Sequence, residues 1–415
     1  MLLKGHGTYS VKVPSSLFLS KIFKPPKGSF SSPPLQVITK LLSVCVRCDD
    51  PERAVSLWKE IEGEHGVSPL ATDSLARTCV HVVTSTGDAA MAQSILKDLR
   101  TYDLSNSSSS SLPSWMGSLW CSKLMHALVK AELLTDAIKT FEWLRELGLP
   151  VESPHTFATL LTGCAEHGSL AQGRKLHQRI KEIQQQQQQH QQHQHQQHQH
   201  QHSQQHNSIS EREKVLAASL INMYGRCGLP DEAKAVFYNL SLSDKISHLP
   251  AWTAVINAYG LSGRGSDAVQ FFEEMVTMGA QPNALSLCCL LNACSQSGLV
   301  ERAWSLLMDM PTKYGLQPSI LHFNCVVDAL CRASQFDAAE KLMEDMQLEG
   351  VPPDFATYTA ILGACRWHGD VNRAKRLLKK ASAIAKGNAN QMAVLKVLEF
   401  SILGAAGCGR NRVLS

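Results

Sequence analysis

Thirteen cysteines and seventeen histidines are the side chains of this 415-residue chain best able to do chemistry. Their spacing decides between catalytic, metal-binding and packing roles. Cys45 and Cys48 make one C-x-x-C, but no second pair stands at metal-ligand spacing, so neither zinc nor redox use is expected. Seven histidines fall in a Gln/His tract over 184–206. Neutral imidazole is a good metal ligand, yet a tract of this composition reads first as a low-complexity insert. Hydrolytic deamination of a base needs an H-x-E and a following C-x-x-C around zinc. After Arg366 the chain offers only His368 and Cys408, so that chemistry is excluded by ligand count. There is no G-x-x-x-x-G-K phosphate loop and no nucleophile elbow. The sequence predicts a binding protein with no cofactor, no metal and no small-molecule substrate, any chemistry being supplied by a partner.

The elements behind these residues come from composition and period. The chain is 44% hydrophobic and 18% charged, with a net charge of +4, which suits a folded body. No apolar run approaches the roughly 18–20 residues of a membrane helix, so no membrane partner is expected. Charge is unevenly placed. Residues 1–48 hold six Lys, one Arg and no acid, and from Arg366 onward ten basic groups face Asp370 and Glu399. The stretch 49–365 carries 23 basic against 34 acidic groups, a balance of −11. Bulk charge therefore does not argue for nucleic acid; only local charge can. The acid-free, Ser- and Lys-rich residues 1–34 read as an organelle transit peptide, with a disordered leader as the alternative. Lys and Ser outnumbering Arg favours the plastid over the mitochondrion.

Between Leu249 and Asp354 one unit of about 35 residues occurs three times. Trp252–Tyr259, Leu287–Cys294 and Phe323–Leu330 open the copies; Pro282-Asn283, Pro318-Ser319 and Pro353-Asp354 close them. Small residues recur at Ala268, Ala303, Ala339 and Ala374, spaced 35, 36 and 35, and the register extends upstream through Ala233, Gly173, Ala137, Ala92 and Ala54. Ala268, Phe271, Phe272 and Met275 fall at i, i+3, i+4 and i+7, one face of a helix. Gly263, Gly298 and Gly369 suit left-handed caps of first helices. Cys45, Cys164, Cys294 and Cys365 share one register position and read as packing residues. A period of this length means a solenoid, because a single helix pair cannot bury its own apolar face. The expected fold is all-α: a right-handed superhelical solenoid of antiparallel helix pairs, about nine repeats over 35–383. The disordered Gln/His tract 184–206 would loop out, and a C-terminal helix and tail occupy 384–415. Val394, Leu395, Val397, Leu398, Phe400 and Ile402 make an apolar surface there, suited to capping the last repeat.

At this register the units resemble the pentatricopeptide repeat family. Gly168-Ser-Leu-Ala-Gln-Gly-Arg-Lys-Leu-His177 and Met223-Tyr-Gly-Arg-Cys-Gly228 look like its plant subclass with long and short repeats. Ala360-Ile-Leu-Gly-Ala-Cys-Arg-Trp-His-Gly-Asp370 resembles that subclass's extension motif. The resemblance implies binding of single-stranded organellar RNA, one base per repeat, in RNA editing, processing, splicing or stabilisation. It also implies a separate deaminase or other RNA-processing factor as partner. Two side chains per repeat read the base edge: Thr253 with Asn283 for adenine, Cys288 with Ser319 unassigned, and Asn324 with Asp354 for uracil. Ala218 with His248 departs from that code. Pro250, Leu285, Leu321 and Ala356 match the positions that sandwich bases. Lys375, Arg376, Lys379 and Lys380 would attract phosphates towards the RNA 3′ side. Read structurally instead, Thr253 and Asn324 cap helices, Asn283 and Asp354 sit in turns that favour them anyway, and the basic cluster is a solvated face. The acidic middle favours the alternative functions, a protein-binding scaffold or an organellar ribosome or assembly factor.

Overall fold

The computed structural model describes residues 35–47, 50–65, 68–101, 117–195, 203–240 and 242–410. The leader 1–34, Cys48 and the Ser run 107–111 lie outside the described residues. Among those described there are twenty α-helices and no strand. They form nine consecutive pairs, with a short helix after the fifth pair and a single helix after the ninth.

The chain divides into two compact units, 1–156 and 157–415. In the first unit, helices α1 (Leu35–Arg47), α3 (Asp73–Thr86) and α5 (Ser118–Lys130) stack in sequence. Each packs on its own second helix: α2 (Pro51–His65), α4 (Ala89–Thr101) and α6 (Leu134–Glu146). Trp58, Leu75, Met91 and Phe141 are fully buried between them. Helix α7 (Pro154–Glu166) spans the boundary.

The second unit continues with α8 (Leu170–His195), α9 (Ser203–Arg226), α10 (Pro230–Tyr238) and the short α11 (Leu242–Ser247). The regular repeats follow: α12 (Leu249–Leu261) with α13 (Gly265–Thr277), α14 (Ala284–Gln296) with α15 (Val300–Lys313), α16 (Ile320–Arg332) with α17 (Phe336–Leu348), and α18 (Phe355–His368) with α19 (Val371–Ile384). First helices α9, α12, α14, α16 and α18 stack directly on one another; each second helix lies against its own first helix. The result is two layers, and their cause is the apolar stripe of each helix. Ala268, Phe271, Phe272 and Met275 are all buried on α13, each large side chain stabilising by roughly 1.5–3 kcal/mol. The register alanines Ala54, Ala92, Ala137, Ala233, Ala268, Ala303, Ala339 and Ala374 are all buried. Cys45, Cys164, Cys294 and Cys365 are buried as packing residues. Burial pushes the Cys164 thiol up to about 12 and those of Cys294 and Cys365 up to about 11.

The Gln/His tract departs from the loop expected. Helix α8 runs on through it to His195, and α9 begins at Ser203; 196–202 lies outside the described residues. Its physical basis is propagation. The apolar start of α8, with Leu176 and Ile180 buried, supplies the costly nucleus. Gln, a good helix former, then extends it without needing a core.

The C-terminal helix α20 (Ala389–Arg410) packs on α18 and α19. Only Leu395 and Ile402 of its apolar surface are buried, whereas Val394, Val397 and Phe400 stay exposed. It covers α18 and α19 with a narrower buried stripe than expected.

Most first helices end in a left-handed glycine, such as Gly228, Gly263, Gly298 and Gly369. Glu132 and Ser334 occupy that place with φ of 61° each. A Cβ there costs about 1–2 kcal/mol. Glu132→Gly is therefore expected to raise stability by about 1 kcal/mol. A urea titration measures this; an unchanged midpoint would mean the Glu132 backbone is unstrained.

Candidate functional site

The first helices α12, α14, α16 and α18 carry almost no charge. Helices α12 and α14 contain no Asp, Glu, Lys or Arg, α16 holds only Asp328 and Arg332, and α18 only Arg366. Asp328 and Arg332 pair with each other at 2.8 Å. The acidic excess sits on the second helices, where it is used in ion pairs between repeats. Arg302 meets Glu273 at 2.6 Å, and Arg373 meets Asp337 at 2.8 Å and Glu340 at 3.0 Å. With Asp328 against Arg332 and Arg366, these four helices carry a net charge of only +1 despite the −11 of the middle stretch.

One apolar row crosses this layer. Pro250, Leu285, Leu321 and Ala356 occupy the second position of α12, α14, α16 and α18, and all four are exposed. Leu285 is 61% and Leu321 60% exposed. Two residues further on, Trp252, Leu287, Phe323 and Tyr358 are buried and anchor the same helices. The 3.6-residue period puts these two sets on different sides of each helix.

Beside that row the structure brings Asn324 and Asp354 together. Asn324 Nδ2 donates to Asp354 Oδ1 at 3.4 Å, and the Thr357 hydroxyl donates to Asn324 Oδ1 at 2.6 Å. Asp354 is the N-cap of α18: its Oδ1 accepts the Thr357 amide at 2.8 Å. Burial opposes ionisation of Asp354, but the bonds from the Thr357 amide, the Thr357 hydroxyl and Asn324 outweigh it and hold its pKa below the usual carboxylate value. The arrangement presents a fixed, ionised acceptor next to an amide, which suits the hydrogen-bonding edge of one base. Thr357, fully buried, was not singled out from sequence; the signal available was the D-x-x-T capping box.

The other pairs are not joined in this way. Thr253 is buried, 7% exposed, and its hydroxyl donates to Leu249 O at 3.0 Å, the back-bonding typical of Thr inside a helix. Its expected partner Asn283 is exposed and caps α14, Oδ1 accepting the Ser286 amide at 2.8 Å. Capping is thus the role seen for Asn283, while its Nδ2 remains a donor for a ligand. Ser319 is exposed, and its hydroxyl meets His322 Nδ1 at 2.7 Å. His322, itself buried, reaches Ala284 O in the preceding repeat through Nε2 at 2.8 Å. Cys288, the expected partner of Ser319, is half-buried and lies against Cys325 instead. Ala218 and His248 are both half-buried.

Lys375, Arg376, Lys379 and Lys380 are exposed on α19, a helix of the second layer. They do not share the layer of the exposed apolar row, and Arg376 Nη2 donates to Glu340 at 3.2 Å. A 35-residue register fixes which repeat a residue belongs to; which layer faces a ligand depends on how the pairs stack.

A cleft of about 520 Å³ continues the first-helix surface between α16 and α18. Asp328 and Arg332 line one side, one and two turns beyond Asn324, and Thr359, Gly363 and Trp367 line the other. Trp367 is 79% exposed, with the Arg366 guanidinium 5.0 Å from its ring centroid. An exposed indole on a surface of such low net charge is a stacking platform for an aromatic ligand. Sequence reasoning missed it, although a Trp one residue before the end of a first helix was the available signal.

Comparison with known proteins agrees with this geometry. Residues 249–296 and 318–367 match a profile described as the PPR repeat family, and 39–65, 218–241, 286–314 and 356–381 match the PPR repeat. The chain is 32% identical over 261 residues to the pentatricopeptide repeat-containing protein CRR2, chloroplastic, of Arabidopsis thaliana, covering 63% of this chain and 35% of that protein. A mitochondrial pentatricopeptide repeat-containing protein of the same plant is 29% identical over 266 residues, 64% of this chain and 33% of its own length. The chain thus spans about a third of the length of these relatives. Among solved structures, the maize pentatricopeptide repeat protein PPR10 superposes with a TM-score of 0.53 at 22% identity, over 83% of this chain and 44% of that one. PPR10 in complex with an 18-nucleotide psaJ RNA element gives a TM-score of 0.58 at 16% identity, over 94% of this chain and 48% of that one. At such identity the likeness shows a shared fold.

Proposed function

The chain belongs to the pentatricopeptide repeat family, of the plant type, and from that premise we propose that it binds single-stranded RNA in an organelle, along the first-helix layer of residues 249–368. The observation that carries this reading is the Asn324–Asp354–Thr357 cluster beside the exposed row Leu285, Leu321, Ala356. Apolar side chains flank unstacked bases, and the fixed amide and carboxylate read one base edge. The chloroplastic and mitochondrial relatives support an organelle as the site of action. The chain acts as the recognition subunit; editing, cleavage or another step is performed by a partner.

RNA threads with its 5′ end towards the protein N-terminus, so the core site reads 5′-A-x-U-3′ from α12 to α18. Because the first-helix layer carries so little net charge, base contacts outweigh phosphate contacts and the salt dependence is shallow. Neutralising Lys375, Arg376, Lys379 and Lys380 together is expected to change the slope of log K against log salt by less than about 0.7, the value of one single-strand phosphate contact. Fluorescence anisotropy on short oligonucleotides over a salt series measures it. A change of about two or more would return these side chains to the phosphate path.

The same titrations test the function itself. Low-salt binding of single strands with preference for A-x-U over A-x-C supports it. Complete lack of binding would instead favour a protein scaffold, the reading supported by the acidic second-helix layer and by exposed Val397 and Phe400 on α20.

A further inference from the structure

Eleven cysteines are described, and seven of them are buried packing residues. Cys288 and Cys325 differ. Both are half-buried, and they come from consecutive stacked first helices, α14 and α16. Cys325 Sγ lies 4.0 Å from Cys288 O. The pair sits in the reading line: Cys288 is the reading position of its repeat, and Cys325 follows Asn324.

We infer that Cys288 and Cys325 form a reversible dithiol–disulfide pair that bolts two consecutive repeats together and weakens RNA binding when oxidised. The second half rests on the RNA reading proposed above; the first half does not.

The geometry suits the bond. A disulfide needs sulfurs about 2.05 Å apart and Cα atoms usually within about 7 Å. Cys325 Sγ already lies 4.0 Å from the Cys288 backbone on the stacked neighbouring helix, so rotation about χ1 of the two residues brings the sulfurs together. The chemistry is divided between the two sulfurs. The neighbouring Cys325 thiol pulls Cys288 down, against the opposing effect of burial. Cys288, burial and the nearby Asp328 push Cys325 up. Cys288 is thus the attacking thiolate and Cys325 the resolving thiol. With a disulfide oxidant such as oxidised glutathione, Cys288 sulfur attacks and expels one glutathione thiolate, leaving a mixed disulfide. Cys325 sulfur then attacks the Cys288 sulfur and expels the second glutathione. Its proton and that released from Cys288 go to the two departing thiolates. Two protein thiols and one oxidised glutathione become one protein disulfide and two reduced glutathiones. Neighbouring Cys289 does not compete, since burial and the adjacent Cys288 push it up to about 11.

Oxidation removes the Cys288 thiol from the reading position and fixes the distance between α14 and α16. In a solenoid each repeat contacts only its neighbours, so one rigid junction alters the spacing of every base on either side.

The test uses the full chain with oxidised glutathione. Trypsin digestion without reductant, read by mass spectrometry, is expected to give peptide 265–302 joined to 314–332. The join should survive in Cys289→Ser and vanish in Cys288→Ser and Cys325→Ser, with circular dichroism confirming that each variant folds. Affinity for a short A-x-U strand should fall at least about five-fold on oxidation and recover with dithiothreitol, and the affinity of Cys288→Ser, which lacks the attacking thiol, should not respond to the oxidant. Absence of the join in folded protein, or its persistence in Cys288→Ser, overturns the dithiol pair. A join that leaves affinity unchanged overturns its control of binding. Failure of the reduced chain to bind any RNA overturns the function proposed above and the control with it, whereas the peptide map still decides the pair.

Discussion

Replacing Asp354 by Asn is expected to move the base preferred at the α16 repeat from uracil to cytosine, changing the U/C affinity ratio about ten-fold or more. The structure makes this an unusually clean substitution. Oδ1 of Asp354 is committed to the Thr357 amide and hydroxyl and to Asn324 Nδ2. An asparagine Oδ1 can keep all three bonds and still cap α18, because Asn and Asp are comparable N-caps. Only the second atom of the group changes, from a carboxylate oxygen to an amide nitrogen. The oxygen accepts from uracil N3–H; the nitrogen donates to the unprotonated N3 of cytosine. A well-placed contact discriminates by roughly 1–3 kcal/mol, on the scale of base contacts in DNA. The same geometry fixes the pH dependence. The hydrogen bonds that depress the Asp354 pKa stabilise the ionised form, so both its contribution to stability and its uracil preference hold above its unfolded pKa. They are lost as pH falls through the depressed folded value. Anisotropy titrations with paired oligonucleotides differing by one U or C decide the matter. A ratio that is the same in parent and variant would remove Asp354 from the reading set.

Much of this was legible from the residues and some was not, for identifiable reasons. The nine pairs follow from one small residue per second helix, and every register alanine is buried. The row of Pro250, Leu285, Leu321 and Ala356 came from the resemblance, and all four are exposed at the second position of their helices. The Asn324–Asp354 contact was expected by resemblance, and a shared Thr357 holds it. Thr253 is not joined to Asn283 for a local reason: a β-branched hydroxyl inside a helix bonds the carbonyl four residues back when no better partner is near. The basic cluster lies on the second helix α19, and a charge count does not distinguish the two helices of a pair. The Gln/His stretch was read as disorder from composition, which says what cannot form a core but not how far a nucleated helix propagates. Cys288 and Cys325 meet because stacking brings together residues 37 apart across a 36-residue repeat, a one-residue offset that no sequence period reveals.

Gly260→Val is expected to destabilise the second unit by about 2 kcal/mol or more. A Cβ built at Gly260 of α12 would stand 2.9 Å from Ala293 Cβ and 3.2 Å from Ala293 Cα on α14. Gly225 makes the same approach to Ala258 one repeat earlier, at 2.6 Å. These contacts are with backbone and with a side chain that has nothing to rotate, so α12 and α14 must move apart. Helix propensity works in the opposite direction, since Val is a better helix former than Gly by a few tenths of a kcal/mol; overpacking of about 1–3 kcal/mol outweighs it. Gly173→Val on α8 is the control. Its Cβ would meet Met223 Sδ at 2.5 Å, but a Met side chain has three rotatable bonds and can withdraw. The control should therefore cost less than about 1 kcal/mol, although its contact is the shorter of the two. Stability of a solenoid is close to a sum of repeat and nearest-neighbour terms. The loss in Gly260→Val should accordingly appear as faster amide exchange in α12 and α14, with α1 to α4 unchanged. Reading follows packing here, because separating α12 from α14 also displaces Asn283 and Leu285 at the start of α14, and RNA affinity should fall with stability. Equal urea midpoints for Gly260→Val and the parent would show that the first helices are not held at the distance their small residues allow.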